Sequence, residues 1–422
     1  MRKYFMNLIV GFQKKNSKIS LINMENKKKM LVVGPGFGHN AEAKMRGLNE
    51  NDKFDVTFLG SQLDYSLACK YPNIRFIPYI YAIRPAKPIS TIYNIIKSIK
   101  VVREHGGYDV LYNLGAGRLQ TALLYAFTPK KTTKVIEIWS NTILDSAKEK
   151  KGIYKGLSDH YVISHSDYVT QFWWGIKEKF ETIFPEYSDK FLMYQISYND
   201  IFFSNEQHQS ESDFTISFLN SIPDDQIMCF WPRSVIPANN HDLAIDALNV
   251  VKQKEPQLLT NFKLYIWDGN IKNNTLVEAL KKKIESYSLS DNVEFVEHPF
   301  VSQNDIFAIE ERSDMFIQIA REDVLSTFIM EVLCSRKPFI LSDIRTFQFL
   351  NEKYGLEIPL VKNDAQEIAN ALIDILANKV RVDDPSATER KLKCERIFSR
   401  KNVSPWYDIL FDKLFSEEIE TI

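Results

Sequence analysis

The run Ile317–Glu331, IQIAREDVLSTFIME, contains one complete unit of the predicted fold. It begins with apolar residues that predict the end of a buried strand. Ser326 and Thr327 suit a helix N-cap, and the apolar residues after them predict a helix. Glu322 and Asp323 stand in the connecting loop. A strand followed at once by a helix is the building unit of a parallel α/β sheet.

Short apolar runs alternate with helical stretches along the second half of the chain. The predicted strands are Phe214–Leu219, Ile227–Trp231, Phe262–Trp267, Val293–Val296, Met315–Ile319, Pro338–Leu341 and Glu357–Pro359. The predicted helices are His241–Lys254, Thr275–Tyr287, Asn304–Glu311, Thr327–Cys334 and Ala365–Asn378. This alternation is typical of βαβ units in a mostly parallel sheet that helices cover on both faces.

The first half shows the same alternation. Its predicted strands are Met30–Val33, Asp55–Leu59, Ile74–Pro78, Asp109–Tyr112, Lys134–Trp139, Tyr161–Ile163 and Phe191–Ile196. Its predicted helices are Asn40–Asn49, Ser90–Glu104, Arg118–Phe127 and Ser166–Phe180. A polar segment without apolar periodicity, Ser204–Asp213, predicts a linker. We therefore expect two doubly wound α/β domains in series, with ligands at the carboxyl ends of the strands, in a cleft between the domains.

Composition supports a globular chain of two or three domains. The 422 residues are 45% hydrophobic and 25% charged, and a domain holds roughly 100–200 residues. The 53 basic and 54 acidic residues give a net charge of −1, which offers no electrostatic reason to expect nucleic acid. The four cysteines are far apart and form no C-x-x-C pair, so we expect the free thiols of a reducing cytoplasm at Cys69, Cys229, Cys334 and Cys394.

No stretch reaches the ~18 apolar residues that a membrane-spanning helix needs. The N-terminal sequence MRKYFMNLIVGFQKK has a basic start and a short apolar run, but it lacks a small-residue cleavage site. We interpret it as a non-cleaved lead segment. The same pattern also suits a helix on a membrane surface. The expected location is the cytoplasm, and peripheral contact with the inner membrane face stays open.

The segment Gly34-Pro35-Gly36-Phe37-Gly38 follows the first predicted strand and precedes a helix. Glycines let the backbone approach a ligand closely, and a helix start favours an anion. No Gly-Lys-Ser/Thr follows, so the segment is not a Walker loop. A purely structural turn explains it equally well. His39 is either a capping or surface residue or a substrate contact.

The three acidic residues of the opening run are candidate ligands of sugar and ribose hydroxyls. Glu331 lies about one helical turn beyond Thr327, so it can face the same site as Glu322 and Asp323. The alternative is that the loop acids favour the helix dipole while Glu331 lies on a solvated face. An apolar helix disfavours an unpaired carboxylate, and this favours the functional interpretation.

Trp231-Pro232-Arg233 ends a predicted strand, and Asn239-Asn240-His241 opens the next helix. Arginine suits phosphate oxygens because its fork is planar and permanently charged. A surface ion pair is the alternative for Arg233. No Asp-x-Asp occurs in the sequence, so we expect no metal–diphosphate clamp of that type.

Taken in order, these segments resemble the retaining GT-B glycosyltransferases of family four, the glycosyl transferases group 1. The resemblance covers roughly Phe214–Asp343. The segments that carry it are Pro232-Arg233, the helix Asp242–Leu248, Lys263–Gly269, Val293–Phe295, His298–Val301, Asp323 and Glu331 with seven residues between them, and Ser335–Pro338. It implies a GT-B fold with an acceptor domain, 1–205, which the terminal helix in 400–422 completes, and a donor domain, 206–399.

The resemblance also implies roles for single residues. Arg233 would bind the diphosphate, Glu331 the ribose and Asp323 the donor sugar, and these three would be the catalytic set. The other expected donor contacts are Gly36, Gly38, His39, Asn239, Phe300, Val301, Glu322, Ser326 and Thr327. The implied activity is metal-independent transfer of a hexose, with retention, from a UDP- or GDP-sugar to a glycan, lipid-linked or protein acceptor. No further cofactor is expected.

Several positions depart from the family pattern. Asn239 replaces the lysine that accompanies the arginine, and Val324-Leu325-Ser326 replaces Gly-Phe-Gly. The first-domain strand that carries a histidine in the family ends here as Glu137–Asn141, without one. Two alternatives therefore stay open: a non-catalytic GT-B binding or partner subunit, and a nucleotide-sugar epimerase.

Overall fold

The chain forms two compact units, Met1–Ile196 with Ser404–Ile422, and Ser197–Val403. The computed structural model describes residues 27–34, 45, 47–60, 70–78, 87–104, 107–114, 118–138, 141–195, 198, 200–203, 212–267, 274–296, 303–323, 325–378, 385–399, 401–402 and 406–419. The domain limits predicted from the sequence were 205 and 400. Each unit is built on one parallel sheet.

The first unit contains a seven-stranded parallel sheet of order β3-β2-β1-β4-β5-β6-β7. Its strands are β1 (Lys28–Gly34), β2 (Phe54–Gly60), β3 (Ile74–Pro78), β4 (Val110–Asn113), β5 (Thr133–Glu137), β6 (Tyr168–Gln171) and β7 (Phe191–Met193). The central strands are continuous apolar runs because helices cover both faces of the sheet. Val32 and Tyr112, for example, pair in register and are fully buried.

In the described residues, five helices with defined bounds and two shorter turns connect these strands, and residues 45 and 47–50 before β2 are also helical. The helices are α1 (Lys87–Glu104), α2 (Arg118–Phe127), α3 (Asn141–Glu149), α4 (Ser158–His165) and α5 (Trp174–Ile183). A π-helical turn, Gly152–Leu157, joins α3 to α4, and a 3₁₀ turn, Pro185–Lys190, precedes β7.

The second unit contains a six-stranded parallel sheet of order β10-β9-β8-β11-β12-β13. Its strands are β8 (Ile227–Trp231), β9 (Phe262–Trp267), β10 (Val293–Val296), β11 (Met315–Gln318), β12 (Phe339–Ser342) and β13 (Leu360–Val361). Its helices are α6 (Asp213–Ser221), α7 (His241–Lys254), α8 (Asn274–Ser286), α9 (Gln303–Arg312), α10 (Thr327–Cys334), α11 (Arg345–Tyr354), α12 (Ala365–Ala377) and α13 (Pro385–Phe398). The described part of this unit also contains three 3₁₀ turns: Asp200–Phe203, Pro237–Asn239 and Pro256–Leu259.

The last helix, α14 (Trp406–Ile419), belongs to the first unit. Phe411 packs edge-on against Phe54, with 5.4 Å between the ring centroids. Lys53 pairs with Asp408 at 3.1 Å. The helix begins at Trp406, three residues after the predicted start at Val403.

Four sequence predictions of local structure were wrong. Tyr161–Ile163 lies in α4, whose buried residues Ser158, Asp159, Val162 and Ile163 recur at helical spacing. The strand in this region is β6, Tyr168–Gln171, which lies within the segment Ser166–Phe180 that was predicted to be a helix. Phe214–Leu219 lies in α6, which Ser212 caps by accepting a hydrogen bond from the Thr215 N–H. The last strand is Leu360–Val361 and not Glu357–Pro359, because only Leu360 and Val361 pair with β12.

Helices α3, α11 and α13 were not predicted. Most of the predicted helix Asn40–Asn49 and of the predicted linker Ser204–Asp213 lies outside the described residues. The prediction of two doubly wound parallel sheets is confirmed.

Candidate functional site

The strand order of the second unit creates a crevice between β8 and β11. These strands are neighbours in the sheet, and the connections from them run outward in opposite directions. Ligands of open α/β sheets bind at the carboxyl ends of the strands at such a switch point. The chain leaves β8 after Trp231 and β11 after Gln318, so Arg233 and Asp323 both follow a strand at this crevice.

Arg233 and Asp323 form an ion pair there. The distance between Arg233 Nη2 and Asp323 Oδ2 is 3.1 Å, and the Asp323 side chain is fully buried. The carboxylate also accepts hydrogen bonds from the Ser326 N–H (2.9 Å) and from Gln318 Nε2 (3.0 Å). Gln318 in turn accepts a bond from the Trp231 indole N–H at 2.7 Å. Both oxygens of the Asp323 carboxylate therefore have partners. In the structure, Asp323 holds Arg233 and the loop before α10 in place.

Arg233 has N–H donors that the ion pair with Asp323 does not use. Its side chain is 26% exposed, and its buried Nε has no hydrogen-bond partner in the part of the chain that the structure describes. Guanidinium groups often bind phosphate through two parallel N–H donors. Arg233 therefore offers an oriented positive charge at the crevice.

The two loops that border the crevice are tied together. Asn240, in the left-handed conformation (φ 55°), donates from Nδ2 to the Ile319 carbonyl at 3.0 Å. Arg321 donates from Nε to Asn240 Oδ1 at 2.6 Å and from its backbone N–H to the Ala238 carbonyl at 2.8 Å. Arg321 thus places a second cation beside the loop where the sequence lacks the expected lysine. Asn239 itself is buried and braces that loop by donating to the Ser234 carbonyl at 2.8 Å.

His241, the first residue of α7, supports the site as an uncharged aromatic ring. It stacks on Trp231 with 4.2 Å between the ring centroids. Neither ring nitrogen has a hydrogen-bond partner among the described residues. Burial lowers the pKa of His241 to about 3, and the charge of Arg233 acts in the same direction. The ring is therefore neutral at physiological pH.

Helix α10 begins directly after the ion pair. Ser326 occupies the predicted N-cap position, but its side chain makes no capping hydrogen bond. Its hydroxyl lies 3.3 Å from the Asp323 carboxylate instead. Leu325 has a positive φ of 62°, and its carbonyl accepts a hydrogen bond from the Tyr198 hydroxyl at 2.7 Å. The start of α10, with its positive dipole end, therefore adjoins Arg233.

Glu331 is buried within α10, where it meets a second carboxyl group. Glu310, at the end of α9, is also buried and shares a side-chain hydrogen bond with Glu331. Burial, together with the neighbouring charge of Glu331, raises the pKa of Glu310 well above its usual value. The Glu310–Glu331 pair therefore shares a proton at pH values above the usual pKa of glutamate. This pairing was not predictable from the sequence, because it depends on how the fold places α9 beside α10.

The structure brings together most of the described residues that the sequence assigned to the site. Arg233, Asn239, Asp323, Ser326 and Thr327 lie on the two loops or at the start of α10, and Glu331 lies one turn further on. Glu322 is exposed on the same loop. The other predicted contacts lie outside the described residues: Gly36, Gly38, His39, Phe300 and Val301. Sequence reasoning missed Gln318, whose polar side chain within a buried apolar strand was the available signal.

The strand ends of the first unit contain a different buried acid. Glu137, the last residue of β5, accepts hydrogen bonds from the hydroxyls of Tyr112 (2.6 Å) and Tyr194 (2.9 Å). Burial and the Glu137 charge raise the pKa of both phenols well above the usual value. Thr170 Oγ1 lies 3.1 Å from the Tyr112 hydroxyl. This cluster is a buried hydrogen-bonded network within the sheet.

Within the described residues, no group of three or more His, Cys, Asp or Glu side chains is placed to hold a metal ion. None of the helices in the described ranges is both long and apolar enough to cross a bilayer. The described cysteines Cys229, Cys334 and Cys394 are free and buried, as predicted, and Cys69 lies outside the described residues.

Known structures with similar folds are glycosyltransferases and related enzymes. A glycosyltransferase from Rickettsia africae has 13% identity and a TM-score of 0.67, with 92% of this chain and 99% of that chain covered. HepE of Anabaena in complex with UDP and glucose has 12% identity and a TM-score of 0.64, covering 94% and 100%. Sucrose-phosphate synthase of Thermosynechococcus elongatus has 13% identity and a TM-score of 0.63, covering 93% and 100%. No curated protein matches the sequence significantly.

The two Rossmann-like sheets and these matches define the GT-B fold of glycosyltransferases, as the sequence predicted. The family model of the glycosyl transferases group 1 matches residues 213–392, which lie within the second unit. The resemblance of this part of the sequence to the glycosyl transferases group 1 is therefore confirmed.

Proposed function

We propose that the protein is a metal-independent, retaining hexosyltransferase whose donor is a nucleotide sugar. The observation that carries this proposal is the Arg233–Asp323 ion pair at the β8/β11 switch point, directly before α10. A permanent positive charge and a helix start converge there, and this combination suits a diphosphate. The similar fold of HepE, solved with UDP and glucose, supports UDP as the first nucleotide to test.

In this proposal the described residues divide the work of donor binding. Arg233 and the first turn of α10 bind the diphosphate, and Arg321 adds positive charge to the same loops. Glu331 accepts hydrogen bonds from the ribose hydroxyls, which a protonated Glu310 behind it permits. Asp323 orients Arg233, and we assign the contact with the donor sugar to the loop that Asp323 holds. The buried carboxylates stay unexposed to bulk water, which strengthens these interactions.

The chemical step follows from where charge develops. Negative charge grows on the leaving diphosphate as the bond between the sugar and the phosphate breaks. Oriented donors in a site shielded from water stabilise such charge without reorganisation. The acceptor hydroxyl attacks from the same face of the sugar, and its proton passes to the departing phosphate oxygen. The acceptor is a glycan, a lipid-linked sugar or a protein.

A specific observation supports a second candidate, a non-catalytic GT-B binding or partner subunit. The β5 strand ends in Glu137, which two tyrosine hydroxyls engage, at the strand where the family carries a histidine. Asn239 also replaces a lysine in the donor loop. A protein of this kind would keep the fold and lose transfer.

The test is a panel of UDP-, GDP- and CMP-sugars, first by thermal shift and then by product analysis. A ligand that binds the native state raises the melting temperature. The proposal predicts stabilisation by one nucleotide, slow hydrolysis of its sugar and, with an acceptor, a product whose anomeric configuration matches the donor by NMR. Free UDP with an altered sugar identifies an epimerase instead. The absence of any binding identifies a non-catalytic subunit.

A single variant tests the assignment of Glu331. Glu331→Ala should abolish donor binding with little loss of fold, because Glu310 can stay protonated and neutral without its charged neighbour. Glu367→Ala, an exposed acid on α12, is the matched control and should bind the donor like the wild type. Unchanged affinity of Glu331→Ala would refute the ribose site.

A further inference from the structure

The outer face of α1 exposes large apolar side chains. Ile92 is 59% and Ile96 61% exposed, and Tyr93 beside them is also exposed. The opposite face of α1 is buried through Val101 and Val102 as α1 packs against α2. The three apolar residues recur at helical spacing, so they form one stripe on the side of the helix that faces away from the sheet.

This apolar stripe continues into a basic segment on the same helix. Lys100 and Arg103 follow Ile96 at helical spacing and are both exposed. The Arg103 guanidinium lies over the ring of Phe127 at 5.4 Å from its centroid. Phe127, at the end of α2, is itself exposed. The stripe from Ile92 to Arg103 is about 16 Å long and joins apolar and cationic groups.

A second exposed surface of the same character lies beside α2. The π-helical turn Gly152–Leu157 packs against α2. Ile153, which is 64% exposed, and Leu157 project from this turn. Exposed Lys151 and Lys155 alternate with them. Both surfaces therefore combine aliphatic side chains with lysine or arginine, and both lie on elements that pack against α2.

The part of the chain that contains α1 and α2 is more basic than the remainder. Residues 65–136 contain eleven lysines and arginines and only two acids, Glu104 and Asp109, whereas the whole chain has a net charge of −1. A concentration of positive charge attracts an anionic surface. Exposed aliphatic and aromatic groups add an apolar contact that a purely polyanionic partner would not use.

We propose that the outer faces of α1 and of the π-helical turn form a docking surface for a membrane that carries anionic headgroups. Helices with an apolar stripe beside lysine and arginine lie in the interface of such membranes. Tyr93 suits the headgroup level, and the basic residues suit the lipid phosphates. This surface lies in the first unit, whereas the proposed donor site lies in the second unit.

Co-sedimentation of the full chain with vesicles tests the proposal. The protein should bind phosphatidylcholine vesicles that contain phosphatidylglycerol at least about tenfold more tightly than pure phosphatidylcholine, and salt should weaken the binding. Ile92→Ser/Ile96→Ser and Lys100→Glu/Arg103→Glu should each lower the affinity about tenfold or more. These side chains are exposed, so the melting temperature should stay unchanged.

The double variant Ile216→Ser/Leu392→Ser is the matched control. These residues are exposed to a similar extent on the second unit, at 43% and 48%, and their replacement should leave vesicle binding intact. An equal loss of vesicle affinity in the control variant would overturn the proposal. Equal affinity for vesicles with and without phosphatidylglycerol would do the same. So would a concentration-dependent dimer that the Ile92/Ile96 variant loses while no vesicle binding is seen. Because the assay contains no donor, its failure is independent of the proposed transfer activity.

Discussion

The two units use the same sheet architecture but differ at their strand ends. In the second unit, β8 and β11 lead into Arg233 and Asp323, and the arginine keeps donor capacity after pairing. In the first unit, β5 ends in Glu137, which two buried tyrosines engage. The strand end in the second unit presents the oriented positive charge of Arg233, whereas the acid Glu137 in the first unit is buried and hydrogen-bonded. Charged residues at the strand ends of two similar sheets therefore need separate tests of function.

Between these two strand ends, the largest expected effect is at Arg233. Arg233→Ala should weaken nucleotide binding at least about 100-fold, or about 2.7 kcal/mol, because it removes the cation that the diphosphate needs. Arg345→Ala removes an exposed partner of Glu352 and should change binding little. Isothermal titration with the nucleotide identified by thermal shift measures both.

The same variant also leaves Asp323 buried without its cation, which lowers stability. Arg233→Ala/Asp323→Asn separates the two effects. The double variant should recover much of the lost melting temperature without recovering nucleotide binding. Recovery of binding would contradict a direct role for Arg233.

The second prediction concerns the first unit. Glu137→Gln should lower the free energy of unfolding by about 1–3 kcal/mol, because an amide cannot accept from both phenols as a carboxylate does. Nucleotide affinity should stay within about twofold, since this network lies in the other unit. Urea unfolding and titration test the pair of outcomes. A large loss of affinity with unchanged stability would give Glu137 a functional role.

The third prediction tests the carboxyl pair through pH. Glu310 has a raised pKa in the folded state, so its contribution to stability is complete below the ordinary glutamate pKa and is lost as pH rises through the folded pKa. Glu310→Gln keeps a neutral hydrogen-bond donor at every pH. At pH values above the folded-state pKa of Glu310, this variant should therefore be about 1 kcal/mol more stable than the wild type. Its melting temperature should also depend less on pH. Glu311→Gln, at the exposed neighbouring position, should keep the wild-type profile.

The smallest effect is expected at His241. Its ring is neutral and stacks on Trp231, so His241→Phe preserves the packing and removes no charge. Nucleotide affinity should change less than about threefold, and the pH dependence of binding between pH 5 and 8 should be unaltered. A changed pH profile would show that this histidine titrates in the complex.

Elements were predicted correctly from the sequence where the spacing of apolar residues and the packing in the folded chain favour the same secondary structure. The helices His241–Lys254 and Thr327–Cys334 have the predicted bounds because their apolar residues follow helical spacing. Tyr161–Ile163 was assigned to a strand because β-branched and aromatic residues favour strands, but packing against α2 overrides this preference. The cap at Ser212 was a readable signal for α6.

The candidate site was predictable only in part. Arg233, Asp323 and the start of α10 follow from residues at strand ends. The partners that fix them do not, because Gln318 and Glu310 act across elements that only the folded chain brings together. The full burial of Asp323, and hence its action through Arg233, also depends on tertiary packing.

The most direct test of the central claim is a crystal structure of the protein with the nucleotide diphosphate that stabilises it. The account predicts that the diphosphate oxygens lie within hydrogen-bond distance of the Arg233 guanidinium and of the first turn of α10, with the ribose hydroxyls at Glu331. A nucleotide bound away from the β8/β11 crevice, with the Arg233–Asp323 pair unaffected, would contradict it.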